Sequence, residues 1–288
     1  VRRYTTEGYL FGEGKFLPTD RSDLEKKIFR PTGDRSFVSM TPFSEWSGQF
    51  KLSNRSLQNI QISYQAIGNS ITEKRYNHFF RLNPDGAKNQ RSVSVAHGLD
   101  WTHTLSNIMF YTLSVRHNFF EYSDLVYDDV FDPRYLQAGE PKWDPNYELG
   151  ASVQGVDLNR FRQKTNSLVV KGSTTYQATR SHLIKVGGEG QLSYLSFGSP
   201  GVLVPTTVEG TQVILPHLDH PDYPGVKTYT PVSYAAFAQD WIEWNDMTVR
   251  AGLRMEYFSA NARVPSDLKN PANSISGAPT SIPTKTSE

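Results

Sequence analysis

The sequence predicts an all-β chain, an antiparallel up-and-down transmembrane β-barrel segment of about eight strands. Two observations predict it. Apolar and polar residues alternate with period two along segments of roughly ten residues, longer than the five or six usual in globular strands. The connections between those segments alternate between short turns and long loops, the pattern of a barrel with periplasmic turns and extracellular loops.

The segments follow in order. Near Glu45–Ser53, Trp46, Gly48, Phe50 and Leu52 oppose Ser47, Gln49 and Lys51. Near Asn59–Gly68, Ile60, Ile62, Tyr64 and Ala66 oppose Gln61, Ser63 and Gln65. Near Arg91–Thr102, Val93, Val95, Leu99 and Trp101 oppose Ser92, Ser94 and Asp100. Near Asn107–Tyr122, Met109, Tyr111, Leu113 and Val115 oppose Thr112, Ser114, Arg116 and Asn118. Near Asn166–Gln177, Leu168, Val170, Gly172 and Tyr176 oppose Lys171, Ser173 and Thr175. Near His182–Phe197, Ile184, Val186, Leu192 and Tyr194 oppose Lys185, Glu189 and Gln191. Pro231–Glu243 is more apolar and does not declare its faces. Near Thr248–Ala260, Val249, Ala251, Leu253, Met255 and Tyr257 oppose Arg250, Arg254 and Glu256. Short turns are expected at Asn54–Gln58, His103–Ser106, Ala178–Ser181 and Trp244–Met247. Long loops are expected at Asn69–Gln90, Ser123–Thr165, Gly198–Thr230 and after Asn261.

Composition fits this reading. The chain has 288 residues, with 12% aromatics and a net charge of +1. Its mean hydropathy is -0.51, and no stretch approaches the ~20 apolar residues of a membrane helix. A barrel strand needs only one apolar face, so a low average does not exclude the membrane. Aromatics with a polar handle near strand ends (Trp46, Trp101, Tyr111, Tyr176, Tyr194) suit a headgroup level. No basic stripe points to nucleic acid. Cysteine is absent, which removes disulfides and thiolate metal sites. The start lacks the apolar centre of a signal peptide, and both ends read as cuts through something larger. The expected organisation is an extracellular loop with a partial strand over 1–44, a barrel segment over 45–260 and a truncated extracellular loop over 261–288.

Three runs resemble barrel strands of TonB-dependent outer-membrane receptors. They are His182-Leu-Ile-Lys-Val-Gly-Gly-Glu189, Tyr234-Ala-Ala-Phe-Ala-Gln-Asp240 with Ala251-Gly-Leu-Arg-Met-Glu-Tyr257, and Trp101-Thr-His-Thr-Leu105 leading into Phe110–Arg116. The likeness covers about Glu45 to Ala260 and is closest to the Oar-like subgroup, which carries a carboxypeptidase-regulatory-like domain. It implies a barrel of about 22 strands closed by a plug. It implies uptake of a scarce siderophore, cobalamin, glycan or peptide, powered through the TonB complex. It further implies a bacterial outer-membrane location in contact with lipid, with neither a cofactor nor enzymatic chemistry. The plug, the TonB-pairing segment and a closing strand with a terminal aromatic are not recognisable in this sequence. The alternatives are a passive porin-like barrel and a soluble extracellular β-rich binding or glycan-active protein.

Candidate site residues follow from position. Loops on a rigid scaffold carry binding, so the loop aromatics Tyr127, Phe131, Tyr135, Trp143, Tyr147, Tyr223 and Tyr229 are candidate ligand contacts. Lys171, Lys185, Glu189, Arg250, Arg254 and Glu256 are expected to face the lumen, either touching cargo or forming a ladder of opposite charges. His217, Asp219 and His220 are candidate metal ligands, although their spacing matches no fixed geometry. Asp124, Asp128, Asp129 and Asp132 offer oxygens for calcium but lack the EF-hand pattern. No nucleophile elbow surrounds a serine.

Overall fold

The computed structural model describes residues 1–8, 10–11, 37–81, 83–138, 142–143, 150–220, 223–265 and 284–286. Period-two alternation becomes an extended meander. Strands β1 (Arg2–Thr6), β2 (Phe43–Asn54), β3 (Ile60–Glu73), β4 (Asn89–Ser106), β5 (Met109–Leu125), β6 (Phe161–Gln177) and β7 (His182–Gly198) pair in sequence order. A hairpin, β8 (Val202–Val208) with β9 (Thr211–His217), stands apart from the sheet. The meander resumes with β10 (Lys227–Tyr229), β11 (Val232–Trp244) and β12 (Met247–Ser259). The ten-stranded sheet runs β1-β2-β3-β4-β5-β6-β7-β11-β12, with β10 also on β7. Every ladder in it is antiparallel. Among the described residues its two edges, β1 and β12, do not pair with each other, so the sheet is open.

The expected segments lie in strands to within one or two residues at their ends, and most strands run longer. The 18 residues of β4 and the 17 of β5 carry the ladder past the apolar stretch into segments polar on both faces. Alternation fades there, but backbone hydrogen bonding does not depend on it. Two loops shrink accordingly, to 74–88 and 126–160, while the third, 199–231, keeps its expected length and carries the β8–β9 hairpin and β10. One turn is corrected. His103–Ser106 lies in β4, and the chain reverses at Asn107 and Ile108 after a register shift between Thr104 and Ser106. Asn245, at φ 49, begins the two-residue turn between β11 and β12 in a conformation that asparagine tolerates. Beyond β12, the segment 261–288 contains the small ladder Arg263–Pro265 with Thr284–Thr286.

Register places every expected apolar set on one face. Directly opposite residues share a face, and one such row runs Tyr64, Leu99, Val115, Val170, Gly190, Tyr234 and Tyr257. The undeclared strand β11 is now explained. Tyr234, Ala236, Ala238 and Ile242 lie on the apolar face, while Phe237 and Trp241 lie on the polar face. Phe237 covers Gly187, where an added Cβ would lie 2.7 Å from its ring. Trp241 lies 3.9 Å below the Arg250 guanidinium. Both aromatics have polar-face work, and this hides the alternation.

Among the described residues no second layer covers the apolar face of the sheet. On the apolar face Leu113 is 44% exposed, Ile184 37% and the edge residue Leu253 83%. The buried apolar cluster instead comprises Val126, Val130, Tyr135, Val156 and Leu203, all in the long loops and their hairpin. On the polar face Ser167 and Thr175 are buried.

Candidate functional site

The long loops fuse into one cap at a single end of the sheet. Loop 74–88 docks on loop 126–160 through Asn83 Nδ2 to Gly155 O (2.7 Å) and Asp157 N–H to Gly86 O. Its short 3-10 turns, His78–Phe80 and Pro84–Gly86, bury Phe80 and Pro84. Loop 126–160 contains the helix α1 (Pro133–Ala138), which proline opens and Asp132 caps by accepting from Arg134 N–H.

Arg160 ties the cap together. It is 5% exposed and donates to Tyr127 O (2.7 Å), Asp128 O (2.7 Å), Pro200 O (3.2 Å) and the Tyr135 hydroxyl (2.6 Å). Sequence reasoning did not single this residue out. Nothing in a lone arginine between Asn159 and Phe161 announces a buried fork.

The loop aromatics separate into distinct roles. Tyr135 is 2% exposed, which corrects its assignment as a ligand contact: its ring fills the cap core and its hydroxyl accepts from Tyr127 N–H. Tyr127 is half-buried against Tyr135, with the Arg134 guanidinium 4.0 Å from its ring. Burial pushes the Tyr127 phenol above its ordinary value. Phe131 is exposed. Tyr223 packs on His217, and Tyr229 stacks on Phe197. Only the backbone of Trp143 is described, and Tyr147 lies outside the described residues.

A cavity of about 470 Å³ opens beside Tyr127, lined also by Lys74, Asp85, Asn89, Asp128 and Arg134. Its wall offers an aromatic face and charges of both signs. That chemistry suits a polar ligand with donors and acceptors.

The six expected lumen residues share the polar face. Lys171 faces Glu189 directly, at 3.5 Å. Arg254 pairs with Glu256 on the same strand. Lys185 stands opposite Thr175 and Gln239. Lys171, Arg250 and Arg254 line a cavity of about 420 Å³ over Gly252 and Phe237. The opposite-charge ladder is therefore present at Lys171–Glu189, and the three cations also border open space. Elsewhere on this face Asp100 accepts from Ser114 (2.8 Å) and Arg116 (2.7 Å).

The metal candidates are engaged otherwise. Asp219 accepts from Gly225 N–H and Lys227 Nζ, and these bonds hold its carboxyl below the usual range. His217 and His220 pack edge to face. Asp124 bonds Lys88 and Gln90, and Asp132 bonds Arg134, which holds it low too. Among the described residues no three His, Asp or Glu groups converge. Asp222 lies outside them.

A pH dependence follows. A carboxyl depressed on folding stabilises structure above its unfolded value, about 3.9, and loses that contribution as pH falls through its folded value. Amide protection at Arg134 and Gly225, corrected for intrinsic exchange, is expected to hold from pH 7 to about 5 and to drop below about 4. Asp132→Asn and Asp219→Asn should remove that drop locally.

No family model, curated protein or solved structure matches this chain. No helix among the described residues is long and apolar enough to cross a membrane, which says nothing about strands.

Proposed function

We propose that this chain is part of an outer-membrane β-barrel receptor of the TonB-dependent kind, which takes up a scarce nutrient without covalent chemistry. One observation carries the reading: the continuous apolar face is exposed while the buried core sits in the loops. A soluble sandwich would bury that face against a second sheet.

The belt has a membrane's dimensions. On β7 it runs from Ile184 to Tyr194, roughly 34 Å along the strand, which a barrel tilt of 35–45° converts to about 24–28 Å of height. Polar pairs bound it. At the turn end His103 meets the Tyr111 hydroxyl (3.2 Å) and His182 meets Asp240 (2.7 Å). At the loop end Glu121 stands opposite Lys164. Trp101, Tyr111 and Tyr176 mark the turn-end level; Trp46, Tyr194, Tyr234 and Tyr257 mark the loop-end level. Backbone pairing within an antiparallel meander meets the demand that hydrocarbon places on N–H and C=O groups.

In this reading the ligand meets the cap near Tyr127 and Arg134, then passes along the polar face that holds Lys171, Glu189 and Arg254. Strands missing from the open sheet, a plug and the TonB complex would complete the machine. Nitroxide labels at Leu113, Ile184 and Leu253 in reconstituted protein should be reached by lipid-dissolved oxygen and shielded from an aqueous nickel chelate. Labels at Lys185 and Arg254 should show the reverse. Protein that stays monodisperse in plain buffer, with water-accessible labels at the first three positions, would end the membrane reading. A plug-sized domain encoded before Val1 supports the receptor, whereas a signal peptide directly before it supports a porin-like barrel.

A further inference from the structure

Within the apolar belt, two facing histidines break the alternation. His97 sits between Val95 and Leu99 on β4, and His117 between Val115 and Phe119 on β5. The two are directly opposite in register and lie on the apolar face. Polar groups among apolar ones are costly unless hydrogen-bonded, and ionisable residues in such a belt mark function more often than chance.

Their geometry is specific. His97 Nε2 and His117 Nδ1 are 3.0 Å apart. The other nitrogen of His117, Nε2, lies 2.7 Å from Asn166 Oδ1 on β6. An amide oxygen only accepts, so Nε2 carries the hydrogen and Nδ1 presents its lone pair toward His97. A ring nitrogen freed for coordination by a hydrogen bond from its partner nitrogen to a carbonyl is the usual support of a metal-binding histidine. Metal–nitrogen bonds of about 2.05 Å set at a right angle place the two nitrogens about 2.9 Å apart; a tetrahedral angle needs about 3.4 Å. The observed separation is closer to the first, the angle of tetragonal copper(II) or nickel(II) sites.

We propose that His97 and His117 form a bidentate chelate for a divalent transition cation, Cu²⁺ foremost, with Asn166 as the positioning residue. Two protein ligands leave the remaining coordination positions to solvent or exchangeable groups, so the site is labile. Access is short: Glu121 and Lys164, at the belt's loop-end rim, stand two positions beyond Phe119 and Asn166. Where the belt faces lipid, the open coordination positions are filled from the headgroup level that Glu121 and Lys164 mark.

The test is a copper sulfate titration of the full chain, followed by electron paramagnetic resonance. One ion per chain with a two-imidazole nitrogen pattern is expected. His97→Asn and His117→Asn should each weaken binding at least about tenfold, and Asn166→Leu by a smaller factor. The double change His217→Asn with His220→Asn should leave this signal unaltered, since those rings lie in a different loop. A wild-type spectrum lacking two imidazole nitrogens overturns the proposal without any variant. So does copper binding that survives loss of both His97 and His117, or that vanishes with His217 and His220.

Discussion

Arg160→Ala will open the loop cap and leave the sheet standing. The guanidinium is the shared donor for Tyr127 O, Asp128 O, Pro200 O and the Tyr135 hydroxyl. Alanine strands those acceptors beside a cluster built from Val126, Val130, Tyr135, Val156 and Leu203. Buried acceptors without donors cost about 1–3 kcal/mol each, and water recovers some of them, so a loss of about 3–5 kcal/mol in cap stability is expected. Lysine should rescue only in part, because its three donors radiate from one point and cannot match a planar fork. Amide exchange at Val126–Tyr135 and at Gly201 should accelerate while protection in β5 and β6 persists. Unchanged exchange at those cap positions would remove Arg160 from this role.

Val186→Arg will be as damaging in a bilayer as it is harmless in water. Val186 sits one apolar position inside the belt's turn-end limit on β7, exposed, with Thr174 and Ala238 as its cross-strand neighbours. If that exposure is to hydrocarbon, arginine at that depth, between rim and midplane, costs about 1–3 kcal/mol. If it is to solvent, the change should stay within about 0.5 kcal/mol. Lys185→Gln, one residue away on the polar face, should be nearly neutral in either medium. Denaturant unfolding of both variants from vesicles, compared with wild type, reads the difference. Equal stability of Val186→Arg and wild type in vesicles would contradict a lipid-facing belt.

Much of the sheet was legible before any coordinates. Strands such as β3, β5 and β12 announce themselves because a half-exposed strand must separate its faces residue by residue. The same logic leaves the faces undeclared where a strand breaks it for cause, as β11 does by sending Phe237 over Gly187 and Trp241 under Arg250, and it passes over the short strands β8, β9 and β10 within an expected loop. His97 and His117 were also readable, as polar residues on apolar beats between Val95 and Leu99 and between Val115 and Phe119. They were passed over because one discordant residue in a long alternation carries little weight until its cross-strand partner is known.

The candidate contacts were less legible. Loop composition brought Tyr127 and Tyr135 forward together, yet one borders a cavity and the other is core. Side-chain type cannot separate them, since burial in a loop depends on which distant segment lies across it. The β8–β9 hairpin shows the same limit. Its turn is set by Glu209 and Gly210, both at positive φ, a local signal that only a paired structure makes meaningful.

By itself, then, the amino-acid order determined the eight long strands, the two faces of all of them but β11, and the alternation of short and long connections, because each depends on neighbours a few residues apart. Tertiary structure alone decided that Lys171 meets Glu189, that Arg160 knots three segments, and that two histidines 20 residues apart sit 3.0 Å from one another. Those outcomes depend on register and loop docking, where residues far apart in sequence are brought together by backbone pairing that no single segment encodes.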